Sequence, residues 1–303
     1  MKVLSFGSLN VDYVYALDHF VQAGETIAAS GRSIHRGGKG LNQSVALALA
    51  GAETYHAGRL GQDGLMLRDW LVRNGVDVSL TEIDPEIPSG HAIIQVVPSG
   101  QTSIIILAGT NGSITEAFVD RMLASFGPGD WMLLQNETSC RDYAIRRAAE
   151  KGLKVALNPS PMTDELASSP ALAYVSYFIL NEIEGKAVTG ETDPDKICQA
   201  MKSKYPGGII VLTLGSDGVV YYDDERRLSH GIYPVKAVDT TAAGDTFAGF
   251  FLATLANGGD PETALQRASK ASAIAVTRPG ASDSIPSLRE VMELDLGEPV
   301  PGK

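Results

Sequence analysis

The sequence predicts an α/β fold in which helices cover both faces of a mostly parallel central sheet and a small β-lid projects from the main body. Two observations point to it: short apolar runs of strand length alternate with helix-length segments, and two β-rich stretches interrupt this alternation. Apolar runs without polar alternation are typical of strands buried on both faces, as in a parallel sheet between helices. We therefore expect one α/β domain over residues 1–303, with the lid formed by about 11–36 and 90–109.

The predicted strands of the main sheet are short and apolar, and loops and helices separate them. These strands cover residues 3–7, 54–58, 131–135, 154–158, 177–180 and 209–214. The predicted helices between them cover residues 40–51, 64–74, 140–151, 195–204 and 261–276. Crossovers of this kind place consecutive strands side by side and parallel.

The predicted lid consists of two insertions that lack a helical pattern. Residues 91–109 form two β-rich runs joined at Pro-Ser-Gly, which indicates an antiparallel hairpin, and residues 11–36 are also β-prone. If this small sheet projects, its apolar side chains cannot all pack on the main body. We therefore predict that the lid pairs two chains into a homodimer. The candidate contact residues are Ile93, Val97, Ile104 and Ile106.

Composition and charge exclude several functions. The chain carries 25 basic and 36 acidic residues, a net charge of −11, which opposes non-specific binding to nucleic acid or anionic membranes. It has no apolar run long enough for a membrane span and no signal-like N-terminal segment, so we expect a cytoplasmic protein. The five histidines show no paired spacing, which gives no reason to assign zinc or a catalytic triad.

A run of small residues closed by one aspartate, VDTTAAGDTF, precedes a strongly apolar segment near the C-terminus. Phe247 and Phe250 recur at helical spacing, which predicts a strand, a tight turn and a buried helix that begins near Gly244. Small residues before a helix leave its first N–H groups accessible to an anion. Asp245 either caps this helix, or it takes the proton of an attacking hydroxyl while the N–H groups stabilise a transferred phosphoryl group.

Polar residues also follow the first predicted strand and open the first predicted helix. The turn GGKGLNQ suggests a phosphate site but matches neither P-loop nor dinucleotide spacing, so a tight strand-to-helix turn is the alternative. Lys39 and Asn42, at the start of this apolar helix, could hold a polar ligand such as a sugar. Asn10 and Asp12 lie at the same predicted sheet edge, with ordinary turn chemistry as the alternative.

Two further motifs end strands. In LNEIE, Asn181 and Glu184 could bind a hydrated Mg²⁺, which prefers oxygen ligands, or they could be a helix cap and a surface residue. TLGSDG could line an adenine or ribose site, although a hairpin turn into the following VVYYD is equally natural.

Taken together, these motifs resemble the PfkB family of carbohydrate kinases, and within it the ribokinases. GSLNVD, GGKGLNQ, LNEIEG, TLGSDG and VDTTAAGDTF occur in family order, and the resemblance runs from Gly7 to about Ser284. It implies a ribokinase-like three-layer fold and ATP-dependent transfer of the γ-phosphoryl group to the primary hydroxyl of a pentose, with D-ribose as the leading candidate. Another small sugar, a nucleoside, or a non-catalytic sugar sensor are the alternatives.

The resemblance also assigns residues to roles. Asp245 would be the base, and the anion hole would be formed by Ala242, Ala243 and Gly244. The sugar would be held by Asn10, Asp12, Gly38, Lys39, Asn42 and Glu137. ATP would be bound by Asn181, Thr213, Gly215, Ser216, Gly218, Gly244 and Ser269, and Glu184 would reach Mg²⁺ through water. A monovalent cation, usually K⁺, would be held by Asp239, Thr241, Ala275, Arg278, Gly280 and Ser284, several of them through backbone oxygens.

Overall fold

The computed structural model describes residues 1–301, which contain a nine-stranded main sheet and a four-stranded lid sheet. The strands are β1 (Lys2–Phe6), β2 (Asn10–Ala16), β3 (Gly31–Gly37), β4 (Glu53–Gly61), β5 (Asp77–Asp84), β6 (Gly90–Val96), β7 (Thr102–Leu107), β8 (Trp131–Leu134), β9 (Lys154–Leu157), β10 (Tyr177–Asn181), β11 (Ile209–Thr213), β12 (Val219–Tyr222) and β13 (Arg227–His230). The main sheet has the order β13-β12-β11-β10-β9-β8-β1-β4-β5. It is parallel from β11 to β5, and β12 and β13 are antiparallel, which confirms the predicted mostly parallel sheet.

Helices cover both faces of the main sheet. Their bounds are α1 (Lys39–Leu49), α2 (Leu65–Arg73), α3 (Glu116–Leu123), α4 (Arg141–Glu150), α5 (Asp164–Ala167), α6 (Glu182–Thr189), α7 (Pro194–Lys204), α8 (Ala243–Ala256), α9 (Pro261–Ala275) and α10 (Leu288–Glu293). Neighbouring residues of β1 face the two cores: Val3 packs in the core of α1, α8 and α9, and Leu4 in that of α3, α4 and α7. Both side chains are fully buried, as the apolar pattern predicted.

Close packing of α1 brings its N-terminal turn against the end of β1. A Cβ added to Gly40 would lie 2.4 Å from the backbone of Gly7 and of Ser8, so only glycine fits at this position. Further along, α1 packs on α8, where a Cβ added to Gly249 would lie 2.3 Å from the Ala46 Cβ. Gly40 and Gly249 therefore allow α1 to pack closely on β1 and α8, which brings the N-termini of α1 and α8 to the same edge of the sheet.

The lid sheet has the order β3-β2-β6-β7, and the predicted hairpin is its β6–β7 pair. The insertion before α1 supplies β2 and β3, which pair antiparallel, while β2 and β6 pair parallel. Every residue of β7 is exposed, including Ile104 at 52% and Ile106 at 67%. Ile104 and Ile106 lie on one face of this edge strand and Ile105 and Leu107 on the other, so within residues 1–301 the lid leaves apolar side chains of both faces of β7 uncovered.

The structure corrects the element expected before α8. Residues 238–242 do not form a strand; instead the backbone turns at Asp239, whose carboxylate accepts hydrogen bonds from the N–H groups of Thr241 and Gly280. Ala242 then adopts a left-handed conformation with φ of 59° immediately before the helix begins.

The strands β5 and β13 and the helices α3, α5 and α10 were not predicted from the sequence. The residues of β5 alternate between exposed and buried at its start because it is an edge strand, so it lacks the continuous apolar run of the central strands. Over residues 1–301, the helices are too short or too polar to cross a membrane.

Candidate active site

A cavity of about 240 Å³ lies at the carboxyl ends of three adjacent strands of the main sheet. Asn158 follows β9, Asn181 ends β10 and Thr213 ends β11, and all three line this cavity. The N-terminal turn of α8 forms another wall, with Ala242, Ala243, Gly244 and Asp245. Ligands of open α/β sheets collect at such an edge because loops and helix N-termini converge there.

Asp245 does not cap α8. It is only 8% exposed, and its two carboxylate oxygens accept hydrogen bonds from side chains of α1. Asn42 Nδ2 donates to Oδ2 at 2.9 Å, and Gln43 Nε2 donates to Oδ1 at 2.8 Å. The α1 amides therefore orient a carboxylate beside the first N–H groups of α8, and the capping alternative is wrong.

The residues expected on the sugar side lie where β1, β2 and α1 meet. Asn10 is buried and its Oδ1 accepts a hydrogen bond from Asn111 Nδ2 at 2.8 Å. Gly38 has φ of 96°, a conformation that favours glycine, and it leads directly into α1. Glu137 accepts hydrogen bonds from the Ser8 hydroxyl and from the Lys39 backbone N–H.

Asp12 and Glu137 place two carboxylates in this region. Burial, and then the negative charge of Glu137, raise the pKa of Asp12 from its ordinary value of 3.8 to about 6. A half-buried carboxylate with no ion-pair partner among the described residues is costly to the free protein, and a ligand with hydrogen-bond donors would relieve this cost.

Asn181 and Glu184 form a capping box at the start of α6, as the capping alternative proposed. Asn181 Oδ1 accepts from the Glu184 N–H, and Glu184 Oε2 accepts from the Asn181 N–H, both at 2.9 Å. Glu184 is not the surface residue of that alternative, since it is 6% exposed and lines the cavity. Burial raises the pKa of Glu184, hydrogen bonds from Asn181 and Ser160 and the charge of Lys39 oppose this rise, and the charge of Asp245 adds to it.

Lys39 connects the two sides of the site. Its backbone N–H bonds Glu137 on the expected sugar side, while the residue also lines the cavity that contains Glu184 and Asp245. It is the one Lys or Arg residue in the cavity wall formed by the described residues. An anion in this cavity would therefore meet a positive charge as well as helix N–H groups.

Most of the remaining residues expected to bind the nucleotide lie beyond the cavity wall. Gly215, Ser216 and Gly218 form the turn between β11 and β12, which confirms the hairpin alternative for TLGSDG without excluding a binding role. Ser269 is a partly exposed residue of α9, the helix that packs beside β12 and β13. Thr213, just before the hairpin turn, is the member of this group that reaches the cavity.

The residues expected to hold a monovalent cation belong to two loops that are joined by hydrogen bonds. The N–H groups of residues 238 and 239 both donate to the Val276 carbonyl, and Gly280 N–H donates to Asp239 Oδ2 at 2.9 Å. Burial acts to raise the pKa of Asp239, but hydrogen bonds from Thr241 and Gly280 outweigh this effect, and the pKa lies below its ordinary value. The described residues contain no cluster of three or more His, Cys, Asp or Glu side chains suited to a metal ion.

The other members of this group lie along the second loop. Ala275 ends α9 and accepts a hydrogen bond from the Arg278 N–H, while the Arg278 guanidinium pairs with Glu290 at 2.7 Å. Ser284 is fully buried, and its hydroxyl donates to the Ala281 carbonyl. The loop therefore offers backbone oxygens rather than an array of carboxylates.

Sequence reasoning missed Gln43, Asn158, Ser160 and Thr240. Gln43 contacts Asp245, and the other three line the cavity. The sequence contained one indication of Gln43, because it is a second polar residue beside Asn42 in an otherwise apolar helix. Asn158 also had a signal, because it directly follows a predicted central strand.

The chain belongs to the pfkB family carbohydrate kinases, whose family model matches residues 1–288. It is therefore an ATP-dependent carbohydrate kinase, and the ribokinase-like fold expected from the motifs is confirmed.

The relatives agree with this assignment. A ribokinase from Haemophilus influenzae is 34% identical over 296 residues, covering 95% of this chain and 96% of the relative. A deoxyribokinase from Salmonella typhi is 31% identical over 309 residues, covering 98% and 100%. The structure of Arabidopsis thaliana ribokinase complexed with ribose and ATP superimposes with a TM-score of 0.85 at 28% identity, covering 96% of this chain and 97% of that one.

Proposed function

We propose that this enzyme transfers the γ-phosphoryl group of ATP to the primary hydroxyl of D-ribose, forming ribose 5-phosphate. The observation that carries the proposal is the placement of Asp245, a buried carboxylate at the first turn of α8 that contacts Asn42 on the expected sugar side. One residue thus touches both halves of the site. A ribokinase relative and a ribokinase complexed with ribose and ATP support the choice of substrates.

In this proposal Asp245 is the general base. It accepts the proton of the attacking hydroxyl, which then bonds to the γ-phosphorus as the bond to the leaving ADP oxygen breaks. The backbone of Ala242, Ala243 and Gly244 forms the anion hole, because the first N–H groups of a helix favour negative charge. The Lys39 ammonium adds positive charge on the same cavity wall.

The sugar hydroxyls are bound by polar groups that remain available around Asp245. The buried Oδ1 of Asn42 has no hydrogen-bond partner within residues 1–301, so a sugar hydroxyl can donate to it. Asp12 and Glu137 supply further acceptors, and Asn10 and Gly38 shape the same edge. A site rich in acceptors suits a polyhydroxylated sugar.

Deoxyribose is the second candidate, because a deoxyribokinase is 31% identical over nearly the whole chain. The two sugars differ by one hydroxyl. A site that pairs a hydroxyl with a buried polar group rejects the analogue that lacks it by several kcal/mol, so a direct comparison of the two substrates separates these functions.

The residues fit both expected cations. Asn181 and Glu184 offer oxygen atoms in the cavity, the ligand type that Mg²⁺ prefers, and Glu184 would act through water. For K⁺, the donor set is the pair of loops that carry Asp239, Thr241, Ala275, Arg278, Gly280 and Ser284, which hydrogen bonds already hold together. When bound, Mg²⁺ would neutralise phosphate charge and K⁺ would stabilise the loop that precedes the anion hole.

We also propose that the lid covers the sugar and pairs two chains. The exposed apolar residues of β7 support this, since pairing would cover them. A covered sugar site excludes water, which otherwise competes for the phosphoryl group. We also propose a cytoplasmic location for this enzyme.

The decisive experiment is a coupled ADP-release assay with ribose, 2-deoxyribose, other pentoses, hexoses and nucleosides. We expect the highest kcat/KM for ribose. A higher kcat/KM for deoxyribose would identify the enzyme as a deoxyribokinase. If no tested substrate causes ADP release, the non-catalytic sugar sensor would be favoured.

A further inference from the structure

A chain of amide side chains, buried at Gln43 and Gln135 and partly exposed at Asn158, connects Asp245 to the central sheet. It begins at the carbonyl of Ile179 in β10, which accepts from Asn158 Nδ2 at 2.9 Å. Asn158 Oδ1 accepts from Gln43 Nε2 at 3.0 Å, and the same nitrogen donates to Asp245 Oδ1 at 2.8 Å. Gln135 Nε2 donates to Gln43 Oε1 at 2.6 Å. Both hydrogens of the Gln43 amide and its oxygen are therefore engaged.

This chain has a defined direction. A backbone carbonyl only accepts hydrogen bonds, so Asn158 must present its nitrogen to Ile179 and its oxygen to Gln43. An ionised carboxylate also only accepts, so Asp245 requires the same nitrogen of Gln43. If the Gln43 amide turned over, its oxygen would face two oxygens in a site where Gln43 has no exposed surface. The network therefore holds the amide in one orientation.

Gln43 differs in its hydrogen bonding from Asn42, the other residue that donates to Asp245. Asn42 retains an unpartnered oxygen that can take part in sugar binding, whereas every polar atom of Gln43 is used within the network. Neither Gln43 nor Asn42 lines the cavity, whereas Asp245 and Asn158 do. Any effect of Gln43 on the reaction must pass through its neighbours.

We propose that Gln43 is a positioning residue for Asp245. Its amide fixes the rotation of the carboxylate, so that the oxygen atoms keep one orientation towards the attacking hydroxyl. Asn158 and Gln135 in turn fix Gln43 relative to the strand ends that carry the nucleotide side of the site. The inference rests on the proposed role of Asp245 as the base.

The test is a double-mutant cycle with Gln43→Met and Asp245→Asn. Gln43→Met keeps the side-chain length but removes both donors, and we expect kcat to fall about tenfold to a hundredfold, because small errors in catalytic geometry are costly. The KM values for sugar and ATP should stay within about threefold. In the Asp245→Asn background, Gln43→Met should change the residual rate by less than about threefold, because the group it positions is no longer a base.

Three outcomes bear on the inference. Equal losses from Gln43→Met in both backgrounds would overturn it, since the effect would then come from packing between α1 and α8. A loss confined to KM would also overturn it. If Asp245→Asn itself turns over within about threefold of the parent, the proposed base is wrong, which is a separate failure of the proposed function.

A matched control is Ser44→Ala, on the same helix. Ser44 is fully buried and hydrogen bonds the Gly40 carbonyl and His56, but it does not contact Asp245. We expect its kcat within about threefold of the parent.

If Gln43→Met does not fold, Gln43→Glu preserves the shape of the side chain and gives a pH readout. The introduced carboxyl group can donate to Asp245 only when protonated and repels it when ionised. The activity relative to the parent should therefore fall as pH rises from about 6 to 8.5. A relative activity that stays constant over this range would overturn the inference.

Discussion

Replacing Asp12 by asparagine should make the free enzyme more stable at pH 8 while weakening sugar binding. Burial and the charge of Glu137 raise the pKa of Asp12 from 3.8 to about 6. A group with a raised pKa contributes stability that is present below pH 3.8 and is lost as pH rises through about 6. Above this range the ionised carboxylate is less stable in the folded protein than in the unfolded chain.

The size of the effect follows from the same two values. The interval between 3.8 and about 6 corresponds to about 3 kcal/mol, since one pH unit is worth about 1.4 kcal/mol. Because Asp12 retains some contact with solvent, we expect roughly 1–3 kcal/mol. For a chain of 303 residues, a gain of 3 kcal/mol corresponds to a rise of roughly 5 °C in Tm.

The assay is urea unfolding of the parent and Asp12→Asn without ligands at pH 4, 6 and 8. The stability gap should be small at pH 4 and complete at pH 8, because asparagine has no charge to bury. Asp18→Asn is the matched control: this lid aspartate is exposed, and its replacement should change stability by less than about 0.5 kcal/mol. A gap that does not grow with pH, or a variant less stable than the parent at pH 8, would refute the reasoning.

The same titration has a kinetic consequence. Sugar hydroxyls donate to an ionised Asp12, so the KM for sugar should rise as pH falls below about 6 while the KM for ATP changes little. Asp12→Asn should raise the sugar KM at every pH, by about tenfold to a hundredfold.

Four further predictions concern the base, the cation, the lid and the core. Asp245→Asn should retain sugar and ATP binding by calorimetry but lose about 10²–10⁴-fold in kcat, and turnover within threefold of the parent would contradict the base assignment. Activity should require Mg²⁺, and replacing K⁺ with tetramethylammonium at constant ionic strength should lower the rate; an unchanged rate would remove the cation site. Light scattering at micromolar concentration should show a dimer that Ile104→Lys with Ile106→Lys converts to a monomer, and a monomeric parent would refute pairing through the lid. Gly249→Ala should cost about 2 kcal/mol in urea unfolding, because the added Cβ would lie 2.3 Å from a side chain of α1, whereas Gly127→Ala has open space and should be nearly neutral.

Local patterns in the sequence determined the layers of this protein. The apolar runs at 131–135 and 209–214 predicted central strands because both faces of such strands must be covered, and the structure buries them in this way. The Pro-Ser-Gly turn predicted the lid hairpin, and Asn181 with Glu184 had the spacing of a capping box. The motifs also identified Asp245 as a candidate base, which remains a proposal.

Only the tertiary structure decided how the parts of the site meet. Gln43 and Asp245 are 202 positions apart, and Asp239 and Gly280 are 41 positions apart, so no local pattern connects them. The residues 238–242 had a strand-like composition, yet hydrogen bonds from a distant loop turn them. The sequence does not show which hydrogen-bond donors will surround a given carboxylate. That depends on the close packing of α1 against β1 and α8, where glycines allow the backbones to approach and the amides fill the remaining space.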